Sequence, residues 1–214
     1  MTAIRITHAE RELAERHADE IPELVHATGP VSYDYHFGTR SLFDAVVRTS
    51  WLIEGTLFAW DATTLALDGE KLAGIVMAFH GPRFRERQAA LVAVWRELIA
   101  DGKASEQELV GILERSEHAM WLNPVVRQDR HYIHAISVKP EYRGNGVGVA
   151  LLQSAKEAGI RDGRVALELD VLSDNPAVQF YRSQGLELLA ETRAPKPTEY
   201  GVPPELRMGT PLTD

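Results

Sequence analysis

Apolar residues recur at two periods along this chain, and the switches between them lay out an alternation of helices and strands. Residues 4–6 alternate as a short strand, and about 9–26 read as a helical stretch that Pro22 interrupts or kinks. Residues 29–38 predict a polar-aromatic loop carrying Tyr33, Asp34, Tyr35 and His36. The next helix is expected from Ser41, with Asp44 three residues on as a capping-box-like pair, and Phe43, Val46, Val47 and Trp51 keep its spacing. Strands near 56–67 and 72–80 flank the turn Asp68-Gly69-Glu70-Lys71.

Between about 83 and 125 the period is helical again, as an insert. Leu91, Trp95, Leu98 and Ile99 form one stripe, and Leu109, Ile112 and Leu113 form a second behind the capping box Ser105/Glu108. Both stripes predict core packing. The last third reads as strand 131–138, helix 147–158 ending at Gly159, strand 165–172, and helix 175–184 closed by Gly185. Late strands follow at 186–190 and 206–208, with a proline-rich surface loop, 195–204, between them.

One domain over 1–214 suits this length, and 44% hydrophobic with 25% charged residues is the balance of a globular chain. No apolar run approaches the roughly 20 residues that cross a bilayer, so no membrane partner is expected. Residues 1–8 lack the charged segment and apolar stretch of a secretory signal, and the cytoplasm is the expected compartment. The absence of cysteine excludes disulfides, thiolate zinc sites and a cysteinyl acyl intermediate. A net charge of -8 speaks against nucleic acid and suits a cationic small substrate or basic peptide.

The densest chemistry lies between Ile136 and Leu152, where an apolar strand stops at Pro140 and a glycine-rich turn feeds straight into an apolar helix. Such a turn directs several amides into one concavity, and the helix start adds free N–H groups and a positive dipole end. Arg143 can cover the same charge, so the segment is an anion cradle. It lacks the Gly-Lys-Ser/Thr of a P-loop and the third glycine of a dinucleotide fingerprint.

Arg143-x-x-Gly146-x-Gly148 after a strand resembles motif A of the GNAT superfamily of N-acetyltransferases. Leu169-x-Val171, then Asn175-Pro-Ala177-Val-Gln-Phe180-Tyr181, then Gly185-Leu186 resembles motif B, with the alanine one position early. The resemblance covers about 133–186, within a motif-bearing core of about 131–190. The insert is the departure, and it leaves the acceptor side undefined. The fold implied is α/β: a GNAT-type mixed, splayed central sheet flanked by helices, with a helical insert before the cofactor-binding strand. Helix 147–158 would make the right-handed crossover.

The activity implied is transfer of an acetyl group from acetyl-CoA directly to an amine of a small molecule or peptide, through a ternary complex. Arg143, Gly144, Asn145, Gly146, Val147, Gly148 and Val149 would hold the pyrophosphate. The backbone of Ile136, Ser137 and Val138, with the Asn175 side chain, would hold the pantetheine arm. An N–H near Val138 would serve the oxyanion, and Tyr181 would be the general acid. His134, on the face of Ile136 and Val138, is the candidate base. Glu168 and Asp170 share one face of the next strand, where both could attract a cation. His131 and His134 face opposite ways on their strand, and no metal is expected. Another acyl group or acceptor, or a non-catalytic acyl-CoA sensor, are the alternatives, and homodimerisation is left open.

Overall fold

The computed structural model describes residues 3–119, 122 and 125–212. Residues 120, 121, 123 and 124 of the expected insert lie outside the described residues, as do the two residues at each end of the chain. The first half runs β1 (Ile4–His8), α1 (Arg11–His17), α2 (Ile21–His26), α3 (Pro30–Phe37), α4 (Arg40–Leu52), β2 (Thr63–Asp68) and β3 (Lys71–His80). The second half runs α5 (Arg83–Ala100), α6 (Glu106–His118), β4 (Arg130–Val138), α7 (Val147–Arg161), β5 (Ala166–Leu172), α8 (Ala177–Ser183), β6 (Glu187–Thr192), α9 (Pro195–Glu199) and β7 (Glu205–Pro211).

One seven-stranded sheet of order β1-β2-β3-β4-β5-β7-β6 organises these elements. Its pairs are antiparallel except β4 with β5, which are joined through α7. That parallel pairing runs only from Arg130↔Ala166 to Ile133↔Leu169, although both strands continue past it. The sheet therefore splays at its centre, as the resemblance implies, and a gap opens beside the second half of β4.

Each face of the sheet has its own core. Leu151, Leu152 and Ala155 of α7 pack with Ile133, Leu167 and Met208 on one side. Phe43, Val46, Val47 and Trp51 of α4, apolar at helical spacing, pack with Leu65, Ile75 and Met77 on the other. The Trp51 indole donates to the Ala14 carbonyl at 2.8 Å, fixing α4 to α1.

Several local expectations change. The break in residues 9–26 falls at 18–20, and Pro22 sits in the first turn of α2, where its missing N–H costs nothing. The loop expected at 29–38 is the helix α3, which uses Pro30 in the same way and turns Tyr35 and Phe37 inward. The next helix starts from Thr39, whose hydroxyl accepts from Leu42 N–H, while Asp44 pairs with Arg40 at 2.7 Å. Residues 56–62 stay out of the sheet because Ser50 and Thr56 bond to each other and hold that segment against the end of α4. Helix α7 runs past Gly159 to Arg161. Gly159 serves close packing: an added Cβ would lie 2.6 Å from Leu212 Cδ1 and 3.0 Å from His131 Cβ. The proline-rich stretch contains α9.

The insert forms as α5 and α6, with the Ser105/Glu108 capping box in place. Arg87 of α5 is buried and pairs with Asp61 at 2.5 Å, and its Nη1 donates to the Thr56 carbonyl at 2.9 Å. Arg115 of α6 donates to the His36 carbonyl at 2.8 Å, joining the insert to α3.

Candidate active site

A cleft of about 1910 Å³ runs from the glycine turn, through the gap between β4 and β5, to the insert helices. At its first end Gly144 and Gly146 adopt φ of +77° and +78°, the left-handed region that side chains disfavour. An added Cβ at either would meet nothing within 4 Å, so these glycines serve backbone shape with open space in front. Gly146 is the N-cap of α7, whose first amides have no earlier carbonyl to bond. Gly148 lies close to the cleft wall: a Cβ there would stand 3.4 Å from Phe180 Cζ. Arg143 donates from Nε to the Val138 carbonyl at 3.0 Å, which keeps its guanidinium beside the turn. The shape and polarity of this end fit a diphosphate.

Along β4 the amide of Lys139 donates to the Ala73 carbonyl at 2.9 Å, toward β3. Successive amides alternate edges, so the Val138 and Ile136 amides point to the open edge, where β5 has already diverged. Ser137 turns its own backbone to β3. Asn145 alone of the expected cradle residues does not line the cleft; its side chain donates back to the Arg143 carbonyl at 3.1 Å.

Tyr181 of α8 lines the cleft and is nearly buried, and desolvation drives its phenol well above the usual tyrosine range. Asn175 lines it too. Its Oδ1 accepts from Ala177 N–H at 2.9 Å and its Nδ2 donates to the Thr28 carbonyl at 3.2 Å, leaving one N–H and one lone pair for a ligand.

His134 projects from β4 into an aromatic nest, with ring centroids 5.3 Å from Phe58, 5.8 Å from Phe84 and 6.2 Å from Phe79. Burial, aided by the Arg87 charge, lowers its pKa to about 4, so the imidazole is neutral at pH 7. Its Nε2 has no hydrogen-bond partner among the described residues.

The acidic face of β5 is engaged by arginines of this chain. Arg207 forks onto Asp170 at 2.6 and 2.7 Å and reaches Glu168 at 3.3 Å, while Arg130 bonds Glu168 at 2.7 Å. The Tyr132 hydroxyl donates to Asp170 at 3.0 Å. Of the expected polar-aromatic segment, Tyr33 and His36 line the cleft, Asp34 accepts from His26 Nε2 at 2.9 Å, and Tyr35 packs edge-on against Tyr200.

One candidate residue of the cleft escaped the sequence. Glu205, first in β7 and opposite Leu172 of β5, lines the cleft, and burial together with the Asp170 charge raises its pKa to about 8. Nothing in its neighbourhood in sequence signals this. Its environment is made by β5 and by Arg207.

The insert stripes also depart from expectation. Trp95, Leu98 and Ile112 are core and Leu91 and Leu109 pack against it, but Leu113 is 60% exposed and, with Ile99, faces the cleft. Among the described residues no group of three or more His, Asp or Glu could hold a metal ion, and no helix is long and apolar enough to cross a membrane.

Comparison with known proteins adds three findings. The family model "Acetyltransferase (GNAT) family" matches residues 18–186. An uncharacterized N-acetyltransferase of Methanocaldococcus jannaschii is 37% identical over 68 residues, 31% of this chain and 30% of its own length. A thialysine N-epsilon-acetyltransferase of Bos taurus is 38% identical over 61 residues, 28% of this chain and 36% of its own length. The chain thus spans about a third of those relatives. An N-acetyltransferase structure from Staphylococcus aureus Mu50 superposes with a TM-score of 0.70 at 17% identity, over 96% of this chain and all of that one, a likeness of fold.

Proposed function

The chain belongs to the GNAT family of acetyltransferases, and from that premise we propose that it moves an acetyl group from acetyl-CoA directly to a small-molecule or peptide amine, both substrates bound together. The observation that carries this reading is the continuity of one cleft, from the anion cradle through the β4/β5 gap to Tyr181 and His134.

In this reading Arg143 and the amides of Gly144 to Val149 bind the pyrophosphate. The open-edge amides of Ile136 and Val138, spaced by Ser137, hold the pantetheine arm with Asn175, and Val138 N–H also faces the carbonyl oxygen under attack. Starting from the ammonium, two protons leave the nitrogen as the N–C bond forms, the first to a base and the second to solvent, and the sulfur takes one up as the C–S bond breaks, so one proton is released in net. His134 and Glu205 are the groups that take the proton from the ammonium. His134 is always neutral at pH 7 but weakly basic, whereas Glu205 titrates near the working range. Tyr181, held protonated by burial, gives its proton to the departing sulfur and recovers one from solvent. The cytoplasm suits such an enzyme, and the exposed edge of β6 with Leu188 and Leu189 is our candidate homodimer surface.

The test is thiol release from acetyl-CoA against a panel of amines and basic peptides, comparing the wild type with Tyr181→Phe. The cysteine-free chain adds no thiol background. Amine-dependent release that falls by about a hundredfold in the variant, with acetyl-CoA affinity unchanged, is expected. Acetyl-CoA binding without release from any amine would replace the transferase by an acyl-CoA sensor.

A further inference from the structure

Beyond the gap, the cleft widens into a chamber whose walls are supplied by α3 and the two insert helices. Tyr33, Phe58, Phe84, Trp95, Leu109 and Leu113 line it. Core helices hide their apolar side chains, yet here Leu113 is 60% and Val92 is 54% exposed while both line this cleft. Leaving such side chains in water is unfavourable unless something apolar covers them for part of the working cycle. The uncharged polar side chains that the insert helices present to the cleft are only Gln88 and Ser116, and the exposed Arg85 and Arg96 also line it.

The inner end of the chamber has the opposite character. Asp170 and Glu205 line it. Three carboxyl groups, Glu168, Asp170 and Glu205, gather around two guanidiniums, Arg130 and Arg207. Both guanidiniums bond to Glu168, Arg207 also forks onto Asp170 and Arg130 also pairs with Asp129 at 2.8 Å, so carboxyl groups outnumber guanidiniums in the cluster. An arriving cation would be attracted there and would draw Glu205 into its ionised form.

We propose that the acceptor is a primary amine carried on an apolar alkyl or aryl body, its ammonium at Asp170 and Glu205 and its body in the chamber walled by α3, α5 and α6. The inference rests on the reading that this cleft transfers acetyl groups, and it adds the acceptor class. A polyamine or a polyhydroxylated amine would bury polar groups against Phe84, Trp95 and Leu113 without partners for them. A peptide would bring a row of backbone amides into the same walls, with the same penalty.

The experiment measures thiol release from acetyl-CoA with propylamine, butylamine, pentylamine, hexylamine and phenylethylamine, beside spermidine and a lysine-containing tetrapeptide. KM should fall by about fourfold per added methylene, at nearly constant kcat. Leu113→Glu changes an exposed side chain, so its thermal unfolding should match the wild type. It should raise KM for hexylamine by at least about tenfold with acetyl-CoA affinity unchanged. A flat alkyl series, a preference for spermidine or the peptide, or faster transfer from hexanoyl-CoA than from acetyl-CoA would each overturn the proposal. Calorimetry of hexylamine with the protein–CoA complex separates the two readings. Binding lost in Leu113→Glu, without turnover of any amine, keeps the chamber and removes the transferase. Turnover of polar amines alone does the reverse, and absence of both binding and turnover sinks the acceptor assignment together with the enzyme.

Discussion

Asn175 joins the two sides of the cleft: its Nδ2 donates to the Thr28 carbonyl at 3.2 Å while its Oδ1 caps the start of α8 through Ala177 N–H at 2.9 Å. The same amide therefore shapes a helix end and holds the α2–α3 junction against the motif-bearing half. Asn175→Ala should lose about 1–2 kcal/mol of stability, because both bonds go. Asn175→Asp keeps the cap acceptor and loses the donor, so it should fall between the two in urea unfolding. Both should bind acetyl-CoA more weakly by calorimetry. An Asp variant that matched the wild type in both measurements would show the Thr28 bridge to be incidental.

Gly146 offers a cleaner separation of backbone shape from ligand binding. At φ +78° with open space around it, Gly146→Ala carries strain of about 1–2 kcal/mol and reshapes the cradle. Gly163, at φ +67° and also in open space, lies at the other end of α7 and outside the cleft. Gly163→Ala should carry a similar folding cost and leave acetyl-CoA affinity intact, whereas Gly146→Ala should weaken that affinity by at least about tenfold through lost amide contacts. Equal affinities in the two variants would remove the turn from the anion site.

The contrast between these glycines and Glu205 explains what the sequence could tell. A cradle of amides needs glycine at fixed spacing just before an apolar helix, so the turn at 143–148 was legible from residue types alone, as was the motif around Asn175 and Tyr181. The central splay followed from the family those motifs identified. Glu205 was invisible because its burial and the Asp170 charge, which together raise its pKa, arise only when β7 pairs with β5. The segment 29–38 misled because glycine, proline and polar residues are shared by loops and helix starts, and tertiary packing of Tyr35 and Phe37 decided for helix. Leu113 misled because a stripe with helical period looks the same whether it meets a core or walls a cleft.

Arg87 anchors the insert, and its loss should be costly. The side chain is 4% exposed, pairs twice with Asp61 at 2.5 and 3.1 Å, and bonds the Thr56 carbonyl. Arg87→Ala should lower stability by about 3 kcal/mol, since it leaves a half-buried carboxylate unpaired. Adding Asp61→Asn to that variant should restore part of the loss, because the uncompensated charge is then gone. A double variant no more stable than Arg87→Ala would mean that packing, such as the 5.3 Å stacking of Arg87 on Phe79, carries the effect instead.

Glu205 makes a prediction about stability that is independent of catalysis. Its folded pKa of about 8 stands above the ordinary glutamate value of 4.5, so the folded chain holds a proton that the unfolded chain has released across that window. A group with a raised folded pKa favours folding below the unfolded value, and the advantage is lost as pH rises through the folded one. Wild-type stability should accordingly lose ground from pH 5 to pH 8 relative to Glu205→Gln, which resembles the protonated acid and cannot ionise. His131 and His134, both lowered to about 4, lose stability as pH falls below 6.5, but they do so in both proteins and cancel in the difference. The gap between variant and wild type in urea unfolding should widen by at least about 1.4 kcal/mol between pH 5 and 8, the equivalent of one pKa unit. Parallel stability curves over that range would mean that Glu205 ionises normally in the folded chain.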